Sequence, residues 1–247
     1  MPTVGSSTIR IFERAASHFA TLTFCWLPPE RLPTFCARDG VRMSSEATNG
    51  AAEITEGEVL VDGRHVHIRS VTDAVRRFGM GYVSEDRKSE GLILQHGVGA
   101  NIAVTVWHRV RRWLGFVTDA MQTASAAPFV RSLDIRTPSM AQRVGNLSGG
   151  NQQKVSVAKW LAAGSRILFI DEPTVGIDIR SKTCLHELIL KLARDGAAVV
   201  LISSDMPELV ALADRIAVMS GFRVVATFDN SRNYAQASQR IMDAIHA

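Results

Sequence analysis

Leu147-Ser148-Gly149-Gly150-Asn151-Gln152-Gln153-Lys154 leads into helix-spaced apolar residues at Val155, Ala158 and Leu161. After Gly164 comes Ile167-Leu168-Phe169-Ile170-Asp171-Glu172-Pro173. From Leu147 to Glu172 the two strings and the helix between them occupy 26 residues. The first opens with a serine and two glycines at a helix start, where unpaired backbone N–H groups and the helix dipole favour an anion such as phosphate. Ser148 acting only as an N-cap, with the glycines forming a turn, is the plainer alternative. The second string is an unbroken apolar strand ending in two carboxylates, at the strand end where open α/β sheets bind ligands. There Asp171 could hold a magnesium ion through its water shell, and Glu172 could orient or deprotonate an attacking water. A solvated loop capping the next element is the alternative for this string too.

Outward from this stretch the same alternation continues. A helix is expected over 151–163, a strand over 167–170, a helix over 180–194 and a strand over 197–202. In the third of these Leu185, Leu188, Ile189 and Leu192 share one face, and Gly196 stands where a C-terminal cap belongs. Bare apolar strands between amphipathic helices imply a parallel sheet covered on both faces, so the class is α/β. Upstream, Val59-Leu60-Val61, a turn at Asp62-Gly63 and His65 to Ile68 read as a small antiparallel hairpin. A helix over 71–78 ends at Gly79, and the strand Gly81-Tyr82-Val83 feeds the charged loop Ser84 to Glu90. Residues 98–145 read as a helical subdomain, with Gly115, Pro128 and Pro138 breaking the run. Residues 1–49, interrupted by Pro28, Pro29 and Pro33, show no sustained period.

Composition narrows the function classes. The formal net charge is +4, and the arginines are scattered rather than gathered, which disfavours nucleic acid as a partner. Cys25, Cys36 and Cys184 form neither a CxxC pair nor an even framework, so a disulfide scaffold or zinc site is not expected and a cytoplasmic setting is. The longest apolar stretch, 15–27, is broken by Ser17, His18, Thr21 and Thr23 and is shorter than the ~20 residues that cross a bilayer.

Taken together, the two strings, their spacing, Ala158-Lys159-Trp160-Leu161, Thr174-Val175-Gly176-Ile177-Asp178 and the loop Ser84-Glu85-Asp86-Arg87-Lys88 resemble the ATP-binding cassette (ABC) family. The likeness is to the second cassette of two-cassette importers of ribose, xylose and galactose, and it covers about residues 50–247. It implies a P-loop NTPase-type fold and ATP and Mg2+ as cofactors. By the same resemblance Ser148, Gly149 and Gly150, followed by Asn151 and Gln152, would touch the γ-phosphate of ATP held by an opposing cassette. Asp171 and Glu172 match the Walker B pair, Asp178 the D-loop aspartate, Glu85 the neighbourhood of the Q-loop glutamine, and Ser204 the place of the switch histidine. The implied partners are membrane permease subunits, a second cassette carrying a P-loop and, indirectly, a periplasmic or extracellular sugar-binding protein. The implied location is peripheral, on the inner face of the cell membrane. The region 98–145 and the loop 84–92 would then face the permease, with Trp107 and Trp113 as anchors or as core.

Two departures from the family pattern bear on activity. No Gly-Lys-Ser/Thr occurs: Lys88, Lys154, Lys159, Lys182 and Lys191 all follow residues other than glycine. The backbone cradle and ammonium that hold the β- and γ-phosphates are therefore missing from this sequence. Ser204 offers a neutral hydroxyl where imidazole would give a charged contact. The isolated chain is expected to bind ATP weakly and hydrolyse it very slowly, contributing its signature to another cassette. The rival readings are a non-catalytic remnant or interaction protein that keeps the fold, and a soluble ABC protein of repair or translation, for which a basic cluster and a long coiled coil are missing. Residues 1–49 share nothing with the family and read as an unassigned segment, disordered or misread.

Overall fold

A computed structural model describes residues 21–25, 35–44, 53–110, 117–220 and 223–246. In chain order the elements begin with β1 (Thr21–Cys25), β2 (Phe35–Ser44), β3 (Glu53–Val61), β4 (Arg64–His65), α1 (Val71–Arg77) and β5 (Met80–Val83). Then come α2 (Val98–Ala103), α3 (Trp107–Val110), α4 (Asp119–Ser132), α5 (Gly149–Ala162), β6 (Ile167–Asp171) and α6 (Ile179–Arg194). The chain ends with β7 (Ala198–Ser203), α7 (Met206–Leu212), β8 (Arg215–Ser220), β9 (Arg223–Asp229) and α8 (Tyr234–His246). They form two compact units: residues up to Tyr82 with Arg166–Glu172 and Ile189 onward, and Val83–Ser165 with Pro173–Leu188.

Among the described residues the first unit is built on a nine-stranded sheet in the order β4-β3-β2-β9-β8-β1-β7-β6-β5. β6 and β7 run parallel, with Asp171 opposite Ile202. β1 pairs antiparallel with both β7 and β8, and β8 with β9. The antiparallel part extends through β2 and β3 beyond the hairpin marked by the sequence. That hairpin turns at Asp62 and Gly63, both with positive φ (53° and 71°), the backbone that Asp-Gly supplies at small cost. β1 and β2 fall within the segment that the sequence leaves unassigned; residues 1–20, 26–34 and 45–52 lie outside the described residues.

Every residue of β6 is buried, because both sheet faces are covered. On one face Ile167 and Phe169 pack with Val200, Ile202, Ala217 and Met219 beneath Ala74 and Phe78 of α1 and its cap. Facing the other way on β8, Ile216 and Val218 pack with Val210 of α7 and Ala237 and Ile241 of α8. Each such aliphatic side chain contributes roughly 1.5–3 kcal/mol through removal from water. Leu185, Leu188, Ile189 and Leu192 of α6 are buried as their spacing predicts. The helix closes as a Schellman turn: the Ala197 N–H donates to Leu192 O, the Gly196 N–H donates to Ala193 O, and Gly196 has a φ of +101°.

In the second unit α2 and α4 pack on α5, burying Val98, Ile102, Ala126, Val155 and Ala158. Buried Asn101 ties the segment before α2. Its Oδ1 accepts from the Ile93 N–H (2.8 Å), and its Nδ2 donates to the carbonyls of Ile93, His96 and Gly97. One expectation is corrected here. Pro128 does not break the helical run but lies inside α4. Pro128 and Ala124 are exposed, so the Ala124 carbonyl that loses its intrahelical donor faces water, which can take over the bond. Trp113 and Gly115 lie outside the described residues. Trp107 Nε1 is buried, so the indole N–H points inward.

Candidate functional site

At the end of β6, in the first unit, Asp171 is only 3% exposed, and the Tyr82 hydroxyl donates to its Oδ2 at 2.7 Å. Glu172 follows in the left-handed region, φ +40°, a conformation that costs a non-glycine residue about 1–3 kcal/mol. It is held there by two bonds. Its N–H donates to Ile202 O (2.8 Å), and its Oε1 accepts the N–H of Ser204 (2.6 Å). The structure thus joins Glu172 and Ser204, through the serine's backbone. Sequence reading missed the support beneath them: the buried Ser203 Oγ donates to Glu208 Oε2 (2.6 Å) and accepts from the Asp205 N–H (3.1 Å). Asp205 in turn caps α7 by accepting the Glu208 N–H.

In the second unit Ser148 is the N-cap of α5, exposed, and its Oγ accepts from Asn151 Nδ2 (3.0 Å). As an acceptor there, the hydroxyl keeps its own proton for donation. The first helical bond runs from the Gln152 N–H to Ser148 O, so the amides of Gly149 and Gly150 precede the ladder and have no intrahelical acceptor. Asn151 and Gln152 brace the turn instead of reaching outward. Asn151 Oδ1 accepts the Arg136 N–H (2.9 Å), and Gln152 Nε2 donates to the carbonyls of Val144 and Leu147 (both 3.2 Å).

Gly150 owes its lack of a side chain to α6. A Cβ there would lie 2.6 Å from Ser181 Oγ and 2.7 Å from Ser181 Cβ. Ser181 belongs to the first turn of α6, which Asp178 caps. Asp178 Oδ1 accepts the Ser181 N–H (3.0 Å), and Oδ2 accepts its hydroxyl (2.7 Å). These bonds, the hydroxyl's first, hold the exposed Asp178 carboxyl below its usual pKa. The two helix starts therefore stand side by side, with Ser148, Gly149, Gly150 and Asp178 in one neighbourhood.

Beside them lies the loop containing half-buried Glu85. Asp86 Oδ1 accepts the N–H groups of Lys88 and Ser89, and buried Ser84 donates to Glu90 Oε2 (2.8 Å). Arg87 then opens a π-helical turn, Arg87–Gly91, a form frequent at functional sites. Arg87 Nη1 donates to Gly149 O (3.3 Å) and Nη2 to Val175 O (2.9 Å). Buried Lys159 of α5 donates to Gly91 O (2.5 Å), and burial lowers its pKa to about 8. Sequence reading quoted Arg87 and Lys159 only as parts of motifs; their partners are too far along the chain for spacing to show.

Taken unit by unit, the residues present fit separate shares of what a nucleotide and its ion need. The Ser148 turn offers a hydroxyl and two early amides at the start of a 14-residue helix. Magnesium is often bound through one or two carboxylates and its own waters, and in the first unit Asp171 is the carboxylate at the strand end. Among the described residues no cluster of three or more His, Cys, Asp or Glu could form an all-protein metal cage.

The family model described as ABC transporter matches residues 45–175, more than half of the chain. A protein of Burkholderia cenocepacia, named as a ribose/galactose/methyl galactoside import ATP-binding protein, is 47% identical over 185 residues. The match covers 75% of this chain and 36% of that protein. The ribose import ATP-binding protein RbsA of Rhodopirellula baltica is 42% identical over 175 residues, 71% of this chain and 34% of its own length. The chain thus spans about a third of the length of these curated relatives. Among solved structures, a nucleotide-free ATP-binding cassette from an ABC transporter aligns with a TM-score of 0.65 at 14% identity, covering 78% of both chains. The cassette MJ0796, solved as a dimer bound to ADP and Pi, aligns at 0.56 and 21% identity, over 71% of this chain and 74% of that one. These two likenesses concern the fold, an α/β P-loop NTPase-like cassette. With the serine-glycine-glycine helix start and the acidic strand end in place, the chain belongs to the ABC transporter family.

Proposed function

We propose that this chain is part of the ATP-binding protein of a carbohydrate importer, corresponding to its second cassette, and that residues 50–247 form the cassette with 98–145 as its helical subdomain. In this reading Ser148, Gly149 and Gly150 complete an ATP site whose lysine-bearing loop lies outside this sequence, in another cassette. The observation that carries the reading is the Ser148 turn: an exposed hydroxyl and two early amides at a helix start, beside the Asp178-capped start of α6. The import names of the relatives support the transport part.

Bound ATP with Mg2+ would supply the γ-phosphate and the charge that draws two cassettes together. This chain's own groups have narrower tasks: Ser148 and the glycine amides donate to phosphate oxygens, and Asp178 keeps α6 in register beside them. On the strand end Asp171 would hold the ion's water shell, and Glu172 would orient a water. Glu85 and Ser204 are the remaining site positions, Ser204 with a weaker contact than imidazole. Permease subunits would contact the 84–92 loop on the inner face of the membrane, and a sugar-binding protein outside would act only through them.

The test is an assembled transporter reconstituted in vesicles with wild-type chain or Ser148→Arg. The bulky cation should block the phosphate approach and lower ATPase activity by about 100-fold, the size expected when a donor to transition-state charge is lost. Full activity with Ser148→Arg, or no association with a permease, would favour a non-catalytic interaction protein.

A further inference from the structure

We propose that Arg87 is a positioning residue that locks the Ser148-Gly149-Gly150 turn to the Val175–Asp178 loop, and so sets the geometry with which the turn meets a phosphate. The role rests on the composite-site reading above. One guanidinium spans two backbone segments, donating from Nη1 to Gly149 O at 3.3 Å and from Nη2 to Val175 O at 2.9 Å. Both acceptors are neutral carbonyls, so the bonds are charge-assisted on one side and directional. The place is unusual for a cation. A helix N-terminus is the positive end of the dipole and disfavours a cation, a cost that the two carbonyls offset.

The glycines on either side are shaped for this fork. A Cβ on Gly176, whose φ is +69°, would lie 3.3 Å from Arg87 Nη2. A Cβ on Gly149 would lie 3.2 Å from Gly176 O and 3.8 Å from Arg87 Nη1. Gly149 and Gly176 therefore leave the slot that the planar group fills, and burial lowers the Arg87 pKa without discharging it. The stem of Arg87 also belongs to the π-helical turn Arg87–Gly91, whose far end Lys159 ties to α5 through Gly91 O. The loop is thus fastened to α5 at both ends, and Arg87 extends that fastening to the loop before α6. Lysine retains the charge and most of the stem but presents a single ammonium, which cannot hold two carbonyls in one plane.

Amide hydrogen exchange on the full chain tests this directly, with Arg87→Lys and Arg87→Ala beside wild type and thermal unfolding as the control for fold. Arg87→Lys should unfold within a few degrees of wild type, yet speed exchange by about tenfold in segments 151–153 and 177–182, the scale of one lost charge-assisted bond. Arg87→Ala should do the same or more. Wild-type protection of both segments in Arg87→Lys, or a uniform rise across the chain in either variant, overturns the proposal. In the assembled transporter Arg87→Lys should raise the KM for ATP by about tenfold with a smaller change in kcat. An unchanged KM in a transporter that Ser148→Arg silences also overturns it. If Ser148→Arg has no effect, the composite-site reading fails by itself, and the exchange data alone decide whether Arg87 locks the two segments.

Discussion

Gly150 and Lys159 sit on one helix and are constrained in opposite ways, the first by a missing side chain and the second by a buried charge. Adding a methyl group at 150 forces the start of α5 away from Ser181, because the atoms it would meet include Ser181 Cβ and not only a rotatable tip. Gly150→Ala should therefore lower stability by about 1–3 kcal/mol, as overpacking does, which urea denaturation would measure; an unchanged midpoint would argue against the close approach. Burial holds Lys159 at about 8 against an ordinary 10.5. Between those values the unfolded chain binds this proton more tightly than the folded one, so the group's contribution to stability rises as pH climbs from 8 to 10.5. The stability of wild type minus that of Lys159→Met should grow through that window by up to ~1.4 kcal/mol per pH unit. A difference that shrinks or stays level would contradict this. Gly149 and Gly150 were legible as a helix start, since the residues around them announce one. Arg87 and Tyr82 were not legible as site residues, because their partners lie 62 to 89 residues away and are brought close only by folding.

Elements with a strong period were read to within a residue or two. β6, β7, α5 and α6 follow from apolar spacing, since most of the residues that their patterns pick out are buried, Leu161 of α5 being half-buried. The first two strands escaped because prolines at 28, 29 and 33 interrupt that region and no alternation marks the strands. Pro128 misled for a different reason: a proline announces a lost bond, and the sequence does not show that the abandoned carbonyl faces solvent. Pro128→Ala should restore the missing N–H in α4 and stabilise the chain by about 1–2 kcal/mol, the helix gain less the entropy that proline removes from the unfolded chain. Differential scanning calorimetry would register this as a higher Tm, and a lower one would mean that the proline ring packs in place.

On the scale of the whole molecule, the α/β class and the family were visible in 247 residues, as were the serine-glycine-glycine helix start and the acidic strand end. What spacing could not convey was how Asn151, Gln152 and Asp178 are used, since each brings a functional group that the fold spends on its own backbone or neighbouring side chains. Lacking a Gly-Lys-Ser/Thr loop, the purified chain should show no saturable ATP binding in the micromolar range by calorimetric titration and no magnesium-dependent turnover. Tight binding with turnover would refute the division of labour between cassettes. The contact between Gly150 and Ser181 leaves a last consequence, concerning descent. Two positions 31 apart in the chain share one space, so a lineage cannot enlarge the first while keeping the second. Alanine becomes tolerable at 150 once glycine stands at 181, and the hydroxyl that satisfies Asp178 is then forfeited. Drift at this corner is therefore confined to paired exchanges, each leaving the carboxylate with one bond fewer.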